Sequence, residues 1–402
     1  MKTIILVLLI SFLPGVILLG AILVKNNWDA SGLVCADADR YYNTAIFFAG
    51  QNPGYYLDSY KINPGALPWD VPLYALFLSV FFKLFNPGFL LAGFFNLLLF
   101  VLSVNILYRI GEAFFGKRAA FSAAVIFSLY PSVLIFNLLV LVEPLLLLLV
   151  LSGIYFFILY LKREKLPFLV LTAFFLGLST LAKEVTIFLP LAMLALILFK
   201  QRKQLKKASA GASLLITVYL MTLAPLSIYN YNKFGDYMLS EKMARYFNFL
   251  SRQRTVRVRA GTGNAIKDYF LERKHFFFGT GTLSMLRVFG HDTENEETYW
   301  MMKEVKSPGE FLRFVRGKAG TGWGIYQALA WVFIACVYMT SFLGLFLLFL
   351  RKKYIPAFLI SLMILYFLGV YYYNHNSRYF YSLTPFLSLL AGYYISGFIK
   401  ER

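Results

Sequence analysis

The sequence predicts an all-α polytopic membrane protein, a bundle of about ten transmembrane helices with interfacial helices on its outer face. Three observations predict it. Of its 402 residues 59% are hydrophobic and only 15% charged, and the apolar residues gather in runs of bilayer-spanning length. Inside hydrocarbon every backbone polar group has to be paired within the segment, so such runs become helices. Lysines and arginines collect in the short connections between the runs, as the positive-inside bias requires. The formal charge of +19 is therefore read as a topology signal, and nucleic acid is not expected as a partner.

The first run, Ile4 to Val24, is too long for a signal-peptide core and has no clear cleavage site after it, which predicts an uncleaved first helix with a cytoplasmic N-terminus. A mixed stretch follows, and then Leu73 to Phe85, an apolar run too short to cross, which reads as an interfacial helix. Further spans are expected at 89–108, 119–138, 144–161, 167–181, 185–199, 211–231, 325–350, 356–373 and 380–399. Charge parity supports this count. The connections 109–118, 162–165, 200–207 and 351–353 and the tail 400–402 are all net basic and all fall on the cytoplasmic side. Counting 73–85 as a span would put every later basic connection outside. The expected organisation is a transmembrane catalytic module over 1–231 with an external loop at 25–88, an external or interfacial region at 232–324, and C-terminal transmembrane helices at 325–402.

This topology places several polar residues on the external face, from four separate connections: Asp37, Asp39, Arg40, Asp70, Glu143, Lys183, Glu184, His375 and Arg378. Ionisable groups at membrane depth are costly and are functional candidates. Each also has a structural explanation. Asp37, Asp39 and Asp70 precede or open helices and suit N-caps, and Glu143 before Pro144 suits the first turn of a helix. Lys183 can snorkel or pair with Glu184, and Arg378 can anchor an interface beside its tyrosines. Tyr41 and Tyr42 stand next to the acids, where rings can stack on a sugar. In the 232–324 region Arg252, Arg254, Arg257 and Arg259 form a basic strip, either a solvated surface or a guide for lipid phosphates. Cys35 and Cys336 make no disulfide framework, and three histidines without a His/Cys cluster give no zinc site. The carboxylates are of a type that holds Mg²⁺ or Mn²⁺, but no essential metal or other cofactor is expected.

The order of these motifs resembles the GT-C superfamily of membrane glycosyltransferases, nearest to the protein O-mannosyltransferases and the lipid A aminoarabinose transferases. The resemblance rests on Asp37, Tyr41 and Ala45 after the first helix and on Pro68-Trp69-Asp70-Val71-Pro72-Leu73-Tyr74 before the short external one. Glu143-Pro144, Lys183 and Arg378-Tyr379 with Pro385 complete it. Glu143 stands where relatives often carry Asp, Asp39 duplicates the first acid, and 232–324 has no counterpart.

The resemblance implies transfer of a sugar from a polyprenyl-phosphate-linked donor to an acceptor hydroxyl on a protein, lipid or glycan. It implies inversion, and a multi-pass chain in a prokaryotic plasma membrane with its active site at the external face. Asp37 is then the base, Lys183 and Arg378 meet the leaving phosphate, and Glu143 and Asp70 orient sugar hydroxyls. Arg40, Asp39, His375, Tyr41 and Tyr42 complete the substrate site, with membrane lipids around it. Three other readings remain open: a flippase or carrier of lipid-linked sugars, an O-antigen ligase or polymerase-like enzyme, and a noncatalytic scaffold subunit. A carrier predicts polar residues through the middle of spans, and the spans here are apolar at their centres.

Overall fold

The computed structural model describes residues 2–25, 37–50, 70–244, 320–371 and 377–398, with isolated positions between them. Thirteen helices follow in order among the described residues: α1 Lys2–Lys25, α2 Ala38–Phe48, α3 Leu73–Leu84, α4 Phe89–Phe115, α5 Lys117–Ser128, α6 Pro131–Phe136, α7 Glu143–Arg163, α8 Leu166–Ala182, α9 Leu189–Lys200, α10 Leu205–Phe234, α11 Thr321–Leu350, α12 Tyr354–Val370 and α13 Thr384–Ser396. Each of the ten expected spans contains a helix. Among the described residues five, α1, α4, α7, α10 and α11, are long and apolar enough to cross a membrane. The 17 residues of α8 and of α12 reach about 25 Å at 1.5 Å per residue.

The segment expected to cross at 119–138 departs from a single helix. It breaks into α5 and α6 at Tyr130, whose backbone is extended (ψ 122°) because the following Pro131 disfavours helical geometry in the residue before it. The short external helix is present as α3, 12 residues long. Its buried side chains Tyr74, Ala75, Leu78, Ser79 and Phe82 recur at helical spacing and form one face.

The chain forms two compact units, each drawn from separated stretches of sequence. One comprises Met1–Cys35, Phe89–Glu143 and Ala260–Arg402, the other Ala36–Gly88 and Pro144–Arg259.

In the first unit α5 and α13, α11 and α13, and α4 and α5 pack together, with α1 on α4 and α5. Glycines allow the closest approaches. A β-carbon on Gly344 would lie 2.1 Å from the Leu390 carbonyl oxygen, and one on Gly392 would lie 2.6 Å from the Ala123 nitrogen. Small residues bring helix backbones together in this way where lipid removes the hydrophobic drive for helix association.

In the second unit α8 packs on α10, α9 on α10, and α2 on α3, with α3 also touching α8. Gly177 of α8 faces Thr222 of α10, where an added β-carbon would come within 2.6 Å. Hydroxyls inside these helices bond back to the preceding turn, as Thr172 does to the Phe168 carbonyl at 2.8 Å, so their polar groups are satisfied without leaving the helix.

Candidate active site

In the second unit, charged residues from α2, the turn before α3 and the segment after α10 form a chain of ion pairs. Asp37 occupies the N-cap position of α2 but makes no capping hydrogen bond through its side chain. Instead the Arg40 guanidinium donates to Asp37 Oδ1 at 2.5 Å. On its other side Arg40 Nε lies 3.2 Å from Asp70 Oδ2. Asp70 does not cap α3 either, since Pro72 holds that position without a side-chain cap bond. Its second oxygen lies 3.5 Å from Lys242 Nζ.

The result is an alternating series, Asp37, Arg40, Asp70, Lys242. Side-chain exposure is 14% for Arg40 and 12% for Asp70, rising to 27% for Asp37. Asp37 is therefore the carboxylate of the pair that a substrate reaches more easily, while Asp70 sits behind Arg40.

Tyr41 and Tyr42 are buried against α3. Tyr41 meets Tyr74 edge-on with ring centroids 5.3 Å apart, and Tyr42 meets Phe82 at 5.2 Å. Edge-to-face pairs of this kind stabilise by about 1 kcal/mol beyond their buried area. The two rings thus fix the α2–α3 pair that carries Asp37 and Arg40. Asp39 lies in the first turn of α2, where a negative charge complements the helix dipole.

Lys183 ends α8 in extended backbone and is only 3% exposed, so it does not snorkel. Glu184 opens a 3-10 turn over Glu184–Thr186, and its Oε1 accepts a hydrogen bond from the Ser240 hydroxyl. Beneath the turn, Thr186 and Thr180 hydroxyls lie 3.0 Å apart, Thr180 is 3.0 Å from the Tyr219 hydroxyl, and Tyr219 donates to the Ile187 carbonyl at 3.1 Å. This network holds the break between α8 and α9 in place.

The segment 236–244 joins the two clusters. Gly235 ends α10 in left-handed backbone (φ 72°), which glycine adopts without strain, and the chain turns back. Asn230 donates to the Met238 carbonyl at 2.7 Å, and the Glu241 N–H to the Pro68 carbonyl at 2.8 Å. Ser240 thereby reaches Glu184 while Lys242 reaches Asp70. The sequence reading missed Lys242 and Ser240. A hint was available in Gly235-Asp236 after a long helix, but nothing in the sequence gave the direction of return.

The first unit holds a second buried polar group. Glu143, at the start of α7, is 1% exposed. Ahead of it runs an irregular stretch, with Leu138 to Val142 fully buried. Non-helical backbone at membrane depth needs partners inside the protein, and Asn96 of α4 supplies them, donating to the Leu139 carbonyl at 2.6 Å and the Leu141 carbonyl at 3.1 Å. The Val140 N–H donates to the Leu33 carbonyl at 3.2 Å. Asn137 accepts a hydrogen bond from the buried Tyr381 hydroxyl. Tyr381 belongs to the 3-10 turn Ser377–Ser382 that also carries the backbone of Arg378, so this bond fixes that turn against α6.

Of the expected site residues, Asp37, Arg40 and Asp70 share one ion-pair network, and Lys183 is tied to the same segment through its neighbour Glu184. Glu143 and the Arg378 backbone belong to the other unit. His375, Arg252, Arg254, Arg257 and Arg259 lie outside the described residues. Among the described residues no group of three potential metal ligands converges. The carboxylates of Asp37 and Asp70 face Arg40 and Lys242.

Residues 68–229 match a family model described as dolichyl-phosphate-mannose-protein mannosyltransferase. No curated protein sequence matches the chain. Among solved structures the chain is similar to the oligosaccharyltransferase of Archaeoglobus fulgidus in its apo form, at 15% identity and a TM-score of 0.58, over 98% of this chain and 50% of that one. The complex of the same organism's AglB with an inhibitory peptide and a dolichol-phosphate matches at 14% identity and a TM-score of 0.54, over 95% and 50%. ArnT from Cupriavidus metallidurans gives 14% identity and a TM-score of 0.40, over 94% and 76%. The chain thus spans about half the length of the archaeal oligosaccharyltransferases. The chain shares the all-helical membrane fold of the archaeal oligosaccharyltransferase, and the expected resemblance to the GT-C superfamily is met by the family-model match over 68–229 and by that likeness of fold.

Proposed function

We propose that this protein transfers a sugar from a polyprenyl-phosphate-linked donor to an acceptor hydroxyl, at the membrane face opposite its basic connections. The observation that carries the reading is the Asp37–Arg40–Asp70–Lys242 series, tied by the segment 236–244 to the turn at Lys183. It supplies a reachable carboxylate beside fixed cations at one end of a helix bundle. The family-model match over 68–229 and the dolichol-phosphate held by the archaeal AglB complex support the donor class.

The step is written with residues of the second unit. The acceptor hydroxyl gives its proton to the Asp37 carboxylate as its oxygen bonds the anomeric carbon. The bond from that carbon to the phosphate oxygen breaks, and polyprenyl phosphate leaves with the electron pair. Attack from the face opposite the phosphate inverts the anomeric centre. Arg40 holds Asp37 in one orientation, Asp70 holds Arg40, and Lys242 and Lys183 offset the charge developing on the phosphate. Positioned bases contribute about 10²–10⁴ in rate, and fixed cations in a partly dry site act without reorganising. The acceptor is a hydroxyl of a protein, lipid or glycan. The proposed step uses no divalent cation, so turnover is expected to survive EDTA.

The test is a vesicle reaction with a panel of polyprenyl-phosphate sugars and membrane extract as acceptor source, following free polyprenyl phosphate by mass spectrometry. Wild type is expected to release it, and Asp37→Asn to release at least about 100-fold less with donor binding retained. Equal release by both removes Asp37 as the base. Donor binding without release by any wild-type preparation replaces the enzyme with a carrier.

A further inference from the structure

At the other end of the second unit lies a concentration of charge that the proposed reaction does not use. There α7 ends, α8 begins, α9 ends and α10 begins. Within 162–165 and 200–207 these helix ends carry eight lysines and arginines and one acid, Glu164.

Glu164 organises the group. Its backbone is left-handed, with φ 53°, a conformation that costs a residue other than glycine about 1 kcal/mol. Its carboxylate accepts from Lys207 and lies 3.6 Å from Lys200 Nζ. Lys200 also donates to the Leu161 carbonyl at the end of α7. One acid thus ties the ends of α7, α9 and α10 together and neutralises a small part of their charge. Lys165, Arg202, Lys203 and Lys206 are exposed around it.

Beside these cations the surface is apolar. Leu166 is 54% exposed, Phe199 51% and Leu205 71%. The Arg202 guanidinium lies over the Phe199 ring, 5.6 Å from its centroid. A cationic rim set directly on exposed leucine and phenylalanine matches a lipid that is negative at its head and apolar below it. A free anion would use the rim alone.

We propose that this end of α7–α10 binds the phosphodiester headgroup of an anionic bilayer lipid, with its acyl chains against Leu166, Phe199 and Leu205. The site is independent of the sugar-transfer reading. The test is native mass spectrometry of the full chain in detergent, titrated with phosphatidylglycerol or phosphatidylcholine. Three proteins are compared: wild type, Arg202→Gln/Lys203→Gln/Lys206→Gln, and a control, Lys117→Gln/Lys352→Gln/Lys353→Gln, that loses the same charge from basic helix ends of the other unit.

Wild type and control are expected to retain phosphatidylglycerol in preference to phosphatidylcholine. The first triple variant is expected to bind it roughly 100-fold more weakly. Arg202→Lys/Lys203→Arg/Lys206→Arg should restore retention, which separates loss of charge from loss of fold. Equal weakening in both neutralised variants would show diffuse attraction and overturn the site, as would undiminished binding by the first. Displacement of the lipid by inorganic phosphate at a few times its own concentration would show a small-anion site and overturn the lipid assignment.

Discussion

Replacing Arg40 by Met tests whether the ion-pair series holds the α2–α3 region together. The substitution keeps most of the side-chain length and removes the cation lying between Asp37 and Asp70. At an effective dielectric of about 20, opposite charges about 4 Å apart attract by about 4 kcal/mol. Removing one member of a buried pair costs about 3–5 kcal/mol, because the remaining charge stays desolvated. Here the three side chains keep 14%, 27% and 12% of their exposure, so solvent screens part of this and the expected loss is about 2 kcal/mol. Denaturant unfolding in mixed micelles, followed by tyrosine and tryptophan fluorescence, measures it. The Arg40→Met/Asp70→Asn double variant should recover roughly half, since it removes one of two carboxylates left facing each other. A single variant within about 0.5 kcal/mol of wild type would refute the reasoning and make the series a solvated surface arrangement.

Three further outcomes are expected. Lys207, and Lys200 beside it, hold the Glu164 carboxyl below the usual carboxylate range. Its contribution to stability is therefore fully present above that usual range and is lost as pH falls through the depressed value. The thermal midpoint of Glu164→Gln should fall less steeply with acid than that of wild type over that window. Gly344→Ala places a β-carbon 2.1 Å from the Leu390 carbonyl oxygen, forces α11 and α13 apart, and is expected to cost about 1–3 kcal/mol, read by unfolding. Tyr381→Phe removes the hydrogen bond to the buried Asn137 and is expected to cost about 1–3 kcal/mol, read by unfolding.

The helices were legible because hydrocarbon imposes one rule on every apolar run, and sequence carries that rule directly. Where the rule is modified locally, the signal was also present: Pro131 marks the break after Tyr130 that a count of apolar residues passes over. The acids were legible as candidates, while their role was not. Asp37 and Asp70 have the sequence context of helix caps; Asp37 is paired instead with Arg40 three residues on, and only the long-range approach of Arg40 and Lys242 shows that Asp70 is ion-paired. Tyr41 and Tyr42 illustrate the converse. Beside two acids they suggest sugar stacking, and only the structure shows both rings packed on Tyr74 and Phe82 of α3. Lys242 escaped notice because its meaning depends on a chain reversal at Gly235 and on one backbone bond to Pro68, neither of which sequence distance reveals.

The bracing of residues 236–244 has a consequence for engineering. Anchored at Asn230, Glu184 and Pro68, this segment forms a socket from which the following connection departs. A chimera carrying a foreign connection beyond it should keep Lys242 on Asp70 and Ser240 on Glu184, so the charged series stays with the host.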